Sequence, residues 1–361
     1  MSEPETVVVV GTGLIGTSIA MAALRGGHAV TGYDADPRVL SDASKLARFS
    51  TSSTLEDCVR GASLAFVCTP IPTISSVVAA VLEGSGAAVS DVGSVKSHVV
   101  EEVELAAGEG AARFVGGHPM GGSERSGPEG ASPSVLDGIA WVLTPTEGTS
   151  GDALARVERF VSSVGAQPIR MDPQRHDRLV AVVSHLPQVA STALMGLVAE
   201  QEVGDPEILQ LAAAGFRDLT RLAASNPALW AGILRSNREA FSRALDLYIA
   251  RLEHLRTLVA DDGPELEEAF ADAKRARLGL AAKPQVRAGV AVLQVPVPDR
   301  PGVLAELTAT MGAAEVNIED LQIVHSPEGG RGRVHLTIAA SQTETALRCL
   351  TGGGFEPIRL A

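Results

Sequence analysis

Three glycines near the start of the chain have the spacing of a nucleotide-binding turn. They form a G-x-G-x-x-G pattern that follows the apolar run VVVV and opens the helix-like stretch TSIAMAAL. In a strand–turn–helix unit, the first glycine permits a tight turn, the second lets a pyrophosphate approach the backbone, and the third lets helix and strand pack closely. Because a helix N-terminus presents free N–H groups, it would hold the phosphates of a dinucleotide. The predicted cofactor-binding residues of this turn are Gly11, Thr12, Gly13, Leu14, Ile15 and Gly16.

An acidic residue after the next apolar run indicates which dinucleotide is bound. Asp34 follows HAVTGY and lies 18 residues after Gly16, where a carboxylate accepts hydrogen bonds from the ribose hydroxyls. This position favours NAD over NADP. Arg38 keeps NADP open, and Asp34 has the alternative role of N-cap for a helix beginning near Pro37.

Polar residues also follow later strand-like runs in the same part of the chain. Thr69 and Pro70 end one run, and the segments SDVGSVK (90–96) and GGHPMGGSE (116–124) follow two others. Ligands of open parallel sheets bind at the carboxyl ends of the strands. We therefore expect these segments, with Ser94 in the first and His118 in the second, to face the nicotinamide.

The elements that position these residues fall into three patterns. Over residues 6–172, short β-branched runs alternate with helix-like stretches, which predicts a Rossmann-like α/β domain with a mostly parallel sheet (1–172). Periodicity near 3.6 residues then predicts an all-α substrate and dimerisation domain (173–283). After a linker, the order β-α-β-β-α-β predicts an α+β ferredoxin-like domain (288–361).

Composition narrows the class of protein. A net charge of −13, without a basic stripe, argues against nucleic acid as a partner. Cys58, Cys68 and Cys349 are odd in number and widely spaced, which argues against a disulfide framework or a metal site and favours a cytoplasmic location.

One apolar stretch, Leu179 to Ala199, is long enough to raise the question of a membrane span. His185, Pro187 and Gln188 interrupt it, so we predict a buried helix and no membrane partner. A helix that is apolar on all sides needs cover, which favours a homodimer.

Five motifs in order carry a resemblance to a known family. GTGLIG, DVGSVK, GGHPMGGSERSG, HDRLVAVVSHLPQ and GFRDLTRLAASNPALW together resemble the prephenate dehydrogenase family of tyrosine biosynthesis, over residues 6 to roughly 280. The resemblance implies that prephenate is oxidised by NAD(P)+ and loses its ring carboxylate as CO2, giving 4-hydroxyphenylpyruvate. Aromatisation drives that reaction, so the protein needs mainly to orient and polarise the substrate.

The resemblance assigns roles to the polar residues. His118 would accept the proton, or a strong hydrogen bond, of the ring hydroxyl, because imidazole titrates near the working pH. Ser94 would hydrogen-bond His118 or the hydroxyl beside the nicotinamide, or cap the helix that follows. Arg221 would bind the side-chain carboxylate with two parallel hydrogen bonds, with Arg217 on the same helical face.

Further substrate contacts are implied around this centre. Ser123 and Glu124 lie in the loop after His118, and Glu124 would screen the arginines by pairing with one of them. Trp230 would form part of the wall of the substrate pocket, and His185 would orient the helix on which it lies. Gln188 departs from the family pattern, which often has histidine there in members that prefer prephenate, so L-arogenate stays open as the substrate.

The last part of the chain resembles an ACT domain, in which paired copies bind amino acids. A rigid turn at a helix N-terminus would suit a ligand carboxylate, and L-tyrosine is the expected effector, with a ligand-free dimerising unit as the alternative. The predicted effector-binding residues are Asp299, Arg300, Pro301, Gly302, Val303, Leu304, Asn317 and Ile318.

Two rival functions remain at this point. A β-hydroxyacid or imine reductase also joins a Rossmann domain to a helical domain, but typically uses a lysine on the helical domain, whereas this chain has the HPMGG loop and an arginine pair. An NAD-responsive amino-acid sensor would bind the same ligands without turnover.

Overall fold

The fold was obtained as a computed structural model, which describes residues 4–121, 127–261, 263–280, 290–298, 300–325 and 331–360. The chain divides into two compact units, Met1–Ile249 and Ala250–Ala361. The predicted fold class is confirmed: a Rossmann-like domain is followed by a helical region and a small antiparallel α+β domain.

An eight-stranded sheet forms the centre of the first unit. Its strands are β1 (Thr6–Val10), β2 (Ala29–Tyr33), β3 (Ser50–Thr51), β4 (Leu64–Val67), β5 (Ala88–Asp91), β6 (Phe114–Pro119), β7 (Ala140–Thr144) and β8 (Gln167–Arg170). The spatial order is β3-β2-β1-β4-β5-β6-β7-β8, and every neighbouring pair is parallel except β6 and β7. The order reverses between β1 and β4, which is where doubly wound sheets bind their ligands.

Helices cover both faces of this sheet. They are α1 (Leu14–Arg25), α2 (Pro37–Ala47), α3 (Leu55–Val59), α4 (Ile71–Gly84), α5 (Ser97–Ala107) and α6 (Gly151–Ser163). Along β1, Val7 and Val9 pack into one core while Val8 and Val10 pack into the other. Because successive side chains of a strand point to opposite faces, a strand buried on both faces is apolar throughout, and each buried valine contributes roughly 1.5–3 kcal/mol.

The helical region begins with one long helix that contains a π turn. It comprises α7 (Pro173–Val180), a π turn over Ala181–His185 and α8 (Leu186–Glu202). Within the turn, the N–H of Leu186 donates to the carbonyl of Ala181. Pro187 has no N–H with which to continue the α-helical ladder, which accounts for the widened turn.

Burial of the long helix differs from the prediction. Leu179, Val182 and Val183 are exposed to 46%, 48% and 66%, and 28% of the most apolar window of Pro173–Glu202 is buried. The helix is therefore not buried within the single chain, and its cover by a second subunit stays a prediction. Among the described residues, this is the one helix whose length and composition would suffice to cross a membrane, and length and composition alone are weak evidence.

Shorter helices complete the region. They are α9 (Ala214–Thr220), α10 (Pro227–Ser236), α11 (Arg238–Asp261) and α12 (Pro264–Leu280). Asn226 caps α10, because its side-chain oxygen accepts the N–H groups of Ala228 and Leu229 at 3.0 and 3.2 Å. A 3-10 turn, Arg221–Ala224, joins α9 to α10 and packs against α8.

The C-terminal domain has the predicted β-α-β-β-α-β order. Its elements are β9 (Val290–Pro298), α13 (Val303–Ala313), β10 (Ile318–His325), β11 (Arg331–Ala339), α14 (Thr343–Gly352) and β12 (Ile358–Arg359). The sheet order is β10-β11-β9-β12, with all pairs antiparallel. Leu293 and Val295 of β9 pack with Leu307 of α13 and Leu350 of α14, so two helices cover one face.

Candidate active site

The glycine turn has the geometry that a dinucleotide needs. Gly11 has φ +91°, and a Cβ there would lie 2.7 Å from the carbonyl carbon of Cys68. A Cβ on Gly16 would lie 1.9 Å from the carbonyl oxygen of Gly11, whereas one on Gly13 would meet nothing within 4 Å. The first and third glycines are thus required by the fold, and the second faces open space.

The end of α1 is free to bind an anion. Among the residues that the structure describes, no side chain caps its N-terminus at Gly13. The first N–H groups of a helix have no partner within the helix, and its dipole favours negative charge there. The turn therefore fits the pyrophosphate of a dinucleotide, as predicted from the sequence.

Asp34 is fixed beside this turn. Its Oδ2 accepts the backbone N–H of Thr12 at 2.7 Å and the Thr12 hydroxyl at 3.2 Å, and its Oδ1 accepts the N–H of Asp36 at 2.9 Å. Asp36, and not Asp34, caps α2 through the N–H of Arg38. The alternative role of Asp34 as a helix cap is therefore wrong, and its half-buried carboxylate keeps lone pairs for ribose hydroxyls.

Thr69 and Pro70 follow β4 at the point where the strand order reverses. The hydroxyl oxygen of Thr69 is buried and meets no hydrogen-bond partner among the described residues. A buried hydroxyl without a partner is costly, so it is suited to bind a polar group of a ligand. Pro70 stands at the N-cap position of α4 and is exposed.

His118 lies near the end of β6 and belongs to a chain of three side chains. Its Nδ1 is 2.8 Å from Nε2 of His176, and Nδ1 of His176 is 2.8 Å from Oδ1 of Asp177. His176 is completely buried, Asp177 is nearly so, and His118 is half-buried. The two histidines meet edge to face, with ring centroids 5.1 Å apart.

Asp177 fixes the direction of these hydrogen bonds. Its two oxygens accept the backbone N–H groups of Lys96 and Ser97, each at 2.8 Å, so it also caps the N-terminus of α5. Burial by itself would raise the pKa of Asp177, but the hydrogen bonds from His176, Lys96 and Ser97 outweigh it and lower that pKa. An ionised carboxylate only accepts, so Nδ1 of His176 donates to it.

The proton positions on His118 follow from this. The Nδ1–H of His176 is bound to Asp177, so in the neutral form of that ring Nε2 is the acceptor and Nδ1 of His118 is the donor. Nε2 of His118 is then left with a lone pair. Burial first, and then the neighbouring His176, Lys96 and His185, lower the pKa of His118 well below its usual value. His118 is therefore a neutral base near neutral pH.

A buried ion pair holds the backbone just before His118. Lys96 Nζ contacts Oδ2 of Asp91, and both side chains are fully buried. Lys96 Nζ also donates to the carbonyl of Gly117 at 2.8 Å, and Oδ1 of Asp91 accepts the N–H of Gly117 at 3.0 Å. The pair thus binds both polar backbone groups of the residue that precedes His118.

The sequence identified these segments as polar but gave no role to Asp91, Lys96, His176 or Asp177. Asp91 and Lys96 are only five residues apart and follow an apolar run, so their closeness in the sequence is the signal that could have suggested a buried ion pair. His176 is 58 residues from His118, and nothing local in the sequence joins them.

Ser94 lies in the loop between β5 and α5 and is half-buried. The helix α5 begins at Ser97, with Lys96 at the N-cap position, and its N-terminus is capped by the carboxylate of Asp177. The alternative role of Ser94 as the helix cap is therefore wrong.

His185 closes the π turn beside this chain. It is 1% exposed, its Nδ1 is 3.3 Å from the amide nitrogen of Asn237, and its ring meets Trp230 edge to face at 6.0 Å. Burial lowers the pKa of His185 to about 4, so it is neutral at pH 7. The same Asn237 nitrogen donates to the carbonyl of Asp177 at 2.9 Å, so Asn237, the C-cap residue of α10, connects α7 and the π turn.

Gln188 is buried, and both atoms of its amide are used. Nε2 donates to the carbonyl of Leu222 at 2.8 Å, and Oε1 accepts the hydroxyl of Ser225 at 3.3 Å. Leu222 follows Arg221 in the 3-10 turn, and the N–H of Ala223 donates to the hydroxyl of Ser191 on α8 at 3.0 Å. Gln188 therefore positions the turn that carries Arg221.

Four predicted substrate residues remain, and the structure describes two of them. Arg217 is exposed on α9, and Arg221 is exposed at the start of the 3-10 turn. Ser123 and Glu124 lie outside the described residues. The structure thus brings His118, His185 and Trp230 to one region around α7 and the π turn, with Gln188 behind the arginine turn.

The predicted effector site surrounds a cavity of about 320 Å³ in the C-terminal domain. Five of the predicted residues line it: Arg300, Pro301, Gly302, Val303 and Leu304. Asn317 and Ile318 are not among its lining residues, and Asp299 lies outside the described residues. Gly302 has φ +90° at the N-cap of α13, a conformation that favours glycine.

Arg300 beside this cavity is already paired. Its guanidinium donates to both oxygens of Glu306, at 2.9 and 2.6 Å, and this pairing lowers the pKa of Glu306. The cavity walls are otherwise mainly apolar and include Val297 and Ile323.

Comparison with known proteins identifies the family. The chain matches the nucleotide-binding domain of prephenate dehydrogenase over residues 19–170, its dimerization domain over 172–272, and the ACT domain over 291–350. A prephenate dehydrogenase of Bacillus subtilis is 31% identical over 342 residues, which is 92% of each chain.

Solved structures of the same family are similar to this chain. A prephenate dehydrogenase from Aquifex aeolicus in complex with hydroxyphenyl propionate and NAD+ is 31% identical, with a TM-score of 0.71 over 78% of this chain and 99% of that one. An arogenate dehydrogenase from Synechocystis is also 31% identical, with a TM-score of 0.66 over 75% of this chain and 98% of that one. The fold and site define a nucleotide-dependent dehydrogenase. The chain belongs to the prephenate dehydrogenase family and carries a C-terminal ACT domain.

Proposed function

We propose that this protein is an NAD-dependent prephenate dehydrogenase, which converts prephenate to 4-hydroxyphenylpyruvate and CO2. The observation that carries the proposal is His118, a neutral imidazole whose Nε2 lone pair is left free by the bond from Nδ1 to His176. A base oriented in this way, at the carboxyl end of a strand in the same sheet as the nucleotide turn, suits the oxidation of a ring alcohol.

When bound at the glycine turn, NAD+ supplies the acceptor for the hydride of the substrate ring. His118 accepts the proton of the ring hydroxyl at Nε2, and the electron pair of the O–H bond becomes part of a carbonyl. Loss of CO2 returns an electron pair to the ring, which becomes aromatic. His118 then gives its proton back to the phenolic oxygen, so the reaction consumes no net proton.

Other residues of the chain bind and orient the substrate. In this proposal Arg221 binds the side-chain carboxylate, because a guanidinium matches a carboxylate in two parallel hydrogen bonds. Gln188 supports that interaction through Leu222, the neighbour of Arg221. Ser94 lies in the loop after β5 and contacts the hydroxyl or His118.

Arogenate is the second candidate substrate, and a specific observation favours it. The Gln188 amide is bound to Leu222 and Ser225 and carries no charge, so it supplies no cation by which a keto side chain would be preferred over an ammonium. The arogenate dehydrogenase of Synechocystis is as similar in sequence as the prephenate dehydrogenase of known structure.

The deciding experiment is a two-by-two assay. Purified protein is given prephenate or arogenate with NAD+ or NADP+, and the reduced nicotinamide is followed by absorbance. The proposal predicts the highest kcat/KM with prephenate and NAD+. Higher kcat/KM with arogenate would assign the second candidate, and binding of cofactor without turnover of either acid would contradict both in favour of a sensor.

We also propose that the ACT domain binds an aromatic amino acid, with L-tyrosine as the first ligand to test. Support comes from the mainly apolar cavity of about 320 Å³ beside the N-terminus of α13. Calorimetric titration of the intact protein with L-tyrosine should show saturable binding, and the assay above should show inhibition. Absence of both with L-tyrosine would contradict this assignment, and L-alanine serves as the control ligand.

A further inference from the structure

The side chains of His118, His176 and Asp177 form a row of hydrogen bonds in which the Asp177 end is fixed and the His118 end is open. Asp177 is held by the backbone N–H groups of Lys96 and Ser97 and cannot turn away without uncapping α5. His176 is held between Asp177 and His118, each at 2.8 Å. Nε2 of His118 is the open end, and this rigidity gives His176 a role beyond packing.

The charges around His118 disfavour a cation on its ring. Lys96 is fully buried in the loop after β5, and its positive charge lowers the pKa of His118. Its partner Asp91, on β5, contacts the Lys96 ammonium and accepts the N–H groups of Gly93 and Gly117. His185 on the π turn is neutral at pH 7. Among the described residues, the carboxylate of Asp177 contacts His176 and not His118.

A cation on His176 has the better surroundings. There the positive charge would lie against the Asp177 carboxylate, and a charge-assisted hydrogen bond in a buried site is stronger than a neutral one. The two nitrogens that would exchange the proton, Nδ1 of His118 and Nε2 of His176, are already 2.8 Å apart.

We propose that His176 is a positioning residue that orients His118 for proton uptake and then receives a proton from it, so that the imidazolium forms beside Asp177. The inference rests on the proposed function. In the step, the substrate O–H bond breaks and Nε2–H forms on His118, while Nδ1–H of His118 breaks and Nε2–H forms on His176. After CO2 has left, both transfers reverse and the phenolic oxygen regains the proton.

The first test reads the proton positions directly and needs no turnover. Long-range 15N–1H correlation spectra of the full-length protein, labelled at its eight histidines, distinguish the two neutral tautomers. His118 and His176 are assigned by the loss of signals in the variants His118→Asn and His176→Gln. We expect both residues to carry the proton on Nδ1 near pH 7.5. A His118 ring protonated on Nε2 would overturn the proposal even if the enzyme is fully active.

The second test separates positioning from proton uptake. In His176→Gln, the amide oxygen can accept the hydrogen bond from Nδ1 of His118 but cannot take the proton. In His176→Phe, both functions are lost. We expect kcat to fall about 10- to 100-fold in the glutamine variant, the loss typical when a residue that orients a metal-binding histidine is replaced, and to fall further in the phenylalanine variant. KM for substrate and cofactor should stay within about twofold in His176→Gln, because His176 acts on the proton transfer and not on binding.

His254→Gln is the matched control, since His254 is exposed on α11 and should give wild-type kinetics. An unchanged kcat in His176→Gln, or an equal loss in the two His176 variants, would overturn the proposal. A His118→Asn variant that retains activity would instead refute the proposed function, so the two failures are distinguishable. Thermal unfolding of each variant shows whether a loss of activity reflects loss of the fold.

Discussion

The ammonium of Lys96 donates a hydrogen bond to the carbonyl of Gly117 at an N···O distance of 2.8 Å, inside a core where the Lys96 side chain is fully buried. Asp91 closes the arrangement by accepting the N–H of the same glycine. Gly117 has little room of its own, since a Cβ there would lie 2.5 Å from the hydroxyl oxygen of Ser90. The position of His118, the next residue, therefore depends on an ion pair that never meets solvent.

Removal of that lysine should cost both stability and activity. Lys96→Met leaves the Asp91 carboxylate buried without its cation, and losing one partner of a buried pair typically destabilises by about 3–5 kcal/mol. We expect the free energy of unfolding in urea to fall by that amount and kcat to fall with it. Lys45→Met is the control, because Lys45 pairs with Asp42 on the surface, where a pair contributes about 1 kcal/mol or less. Equal losses in the two variants would contradict the role given to the buried pair.

Acid should destabilise the fold through His185. Burial lowers its pKa to about 4 in the folded protein, whereas it titrates near 6.5 when unfolded. The unfolded chain thus binds more protons between these values, so this stabilisation is complete above pH 6.5 and is lost as pH falls toward 4. Its size is roughly 3 kcal/mol. The lowered pKa of His118 acts in the same direction.

Urea unfolding at several pH values between 4 and 8 measures this effect. His185→Asn should flatten the dependence of unfolding free energy on pH over that range. His98→Gln should leave the slope as it is, because the His98 side chain is 54% exposed. A slope unaffected by His185→Asn would show that another group is responsible.

Much of the fold could be predicted from local sequence pattern. The alternation of apolar runs and helices, the glycine turn and the final β-α-β-β-α-β order all depend on residues close together in the chain, and the structure confirms that fold class. Apolar composition predicted that Leu179 to Ala199 needs cover, but it does not say whether the cover comes from the same chain, and the single chain leaves Leu179, Val182 and Val183 exposed.

The site was less predictable because its contacts are long-range. The His118–His176 contact spans 58 residues, and the bond from Ser97 to Asp177 spans 80. The sequence His176-Asp177 would look the same on a surface helix as in a buried row of hydrogen bonds, so it does not indicate which of the two is present. Gln188 shows the same limit: the sequence placed it near substrate, and the structure shows its amide bound to Leu222 and Ser225.

Cofactor preference should depend on Asp34 and not on Asp36, two residues away. Asp34 is anchored by Thr12 at the glycine turn, where its carboxylate can accept the ribose hydroxyls. A hydrogen bond to a charged group contributes about 1.5–3 kcal/mol, so Asp34→Ala should raise KM for NAD+ by about 10- to 100-fold and lower the ratio of kcat/KM for NAD+ over NADP+. Steady-state kinetics with both cofactors measure that ratio.

Asp36→Ala provides the matched control for this prediction. Asp36 caps α2, and loss of an N-cap costs about 1 kcal/mol of stability. The unfolding temperature of the Asp36→Ala variant should fall, while its ratio of kcat/KM for NAD+ over NADP+ stays the same. A ratio that changes equally in both variants would mean that the shape of the loop, and not the Asp34 carboxylate, sets the preference.

The exposed apolar side of the long helix should form the dimer contact proposed from the sequence. Val183 in the π turn is 66% exposed, and Leu179 and Val182 beside it are exposed to almost half. Large exposed apolar patches typically mark association surfaces, and burying a charge there without a partner is costly. Val183→Glu should therefore shift the protein from dimer to monomer in sedimentation velocity at micromolar concentration. Leu105→Glu, on α5 of the Rossmann-like domain and 87% exposed, should leave the sedimentation coefficient unchanged. A dimer that survives Val183→Glu would place the subunit contact elsewhere on the chain.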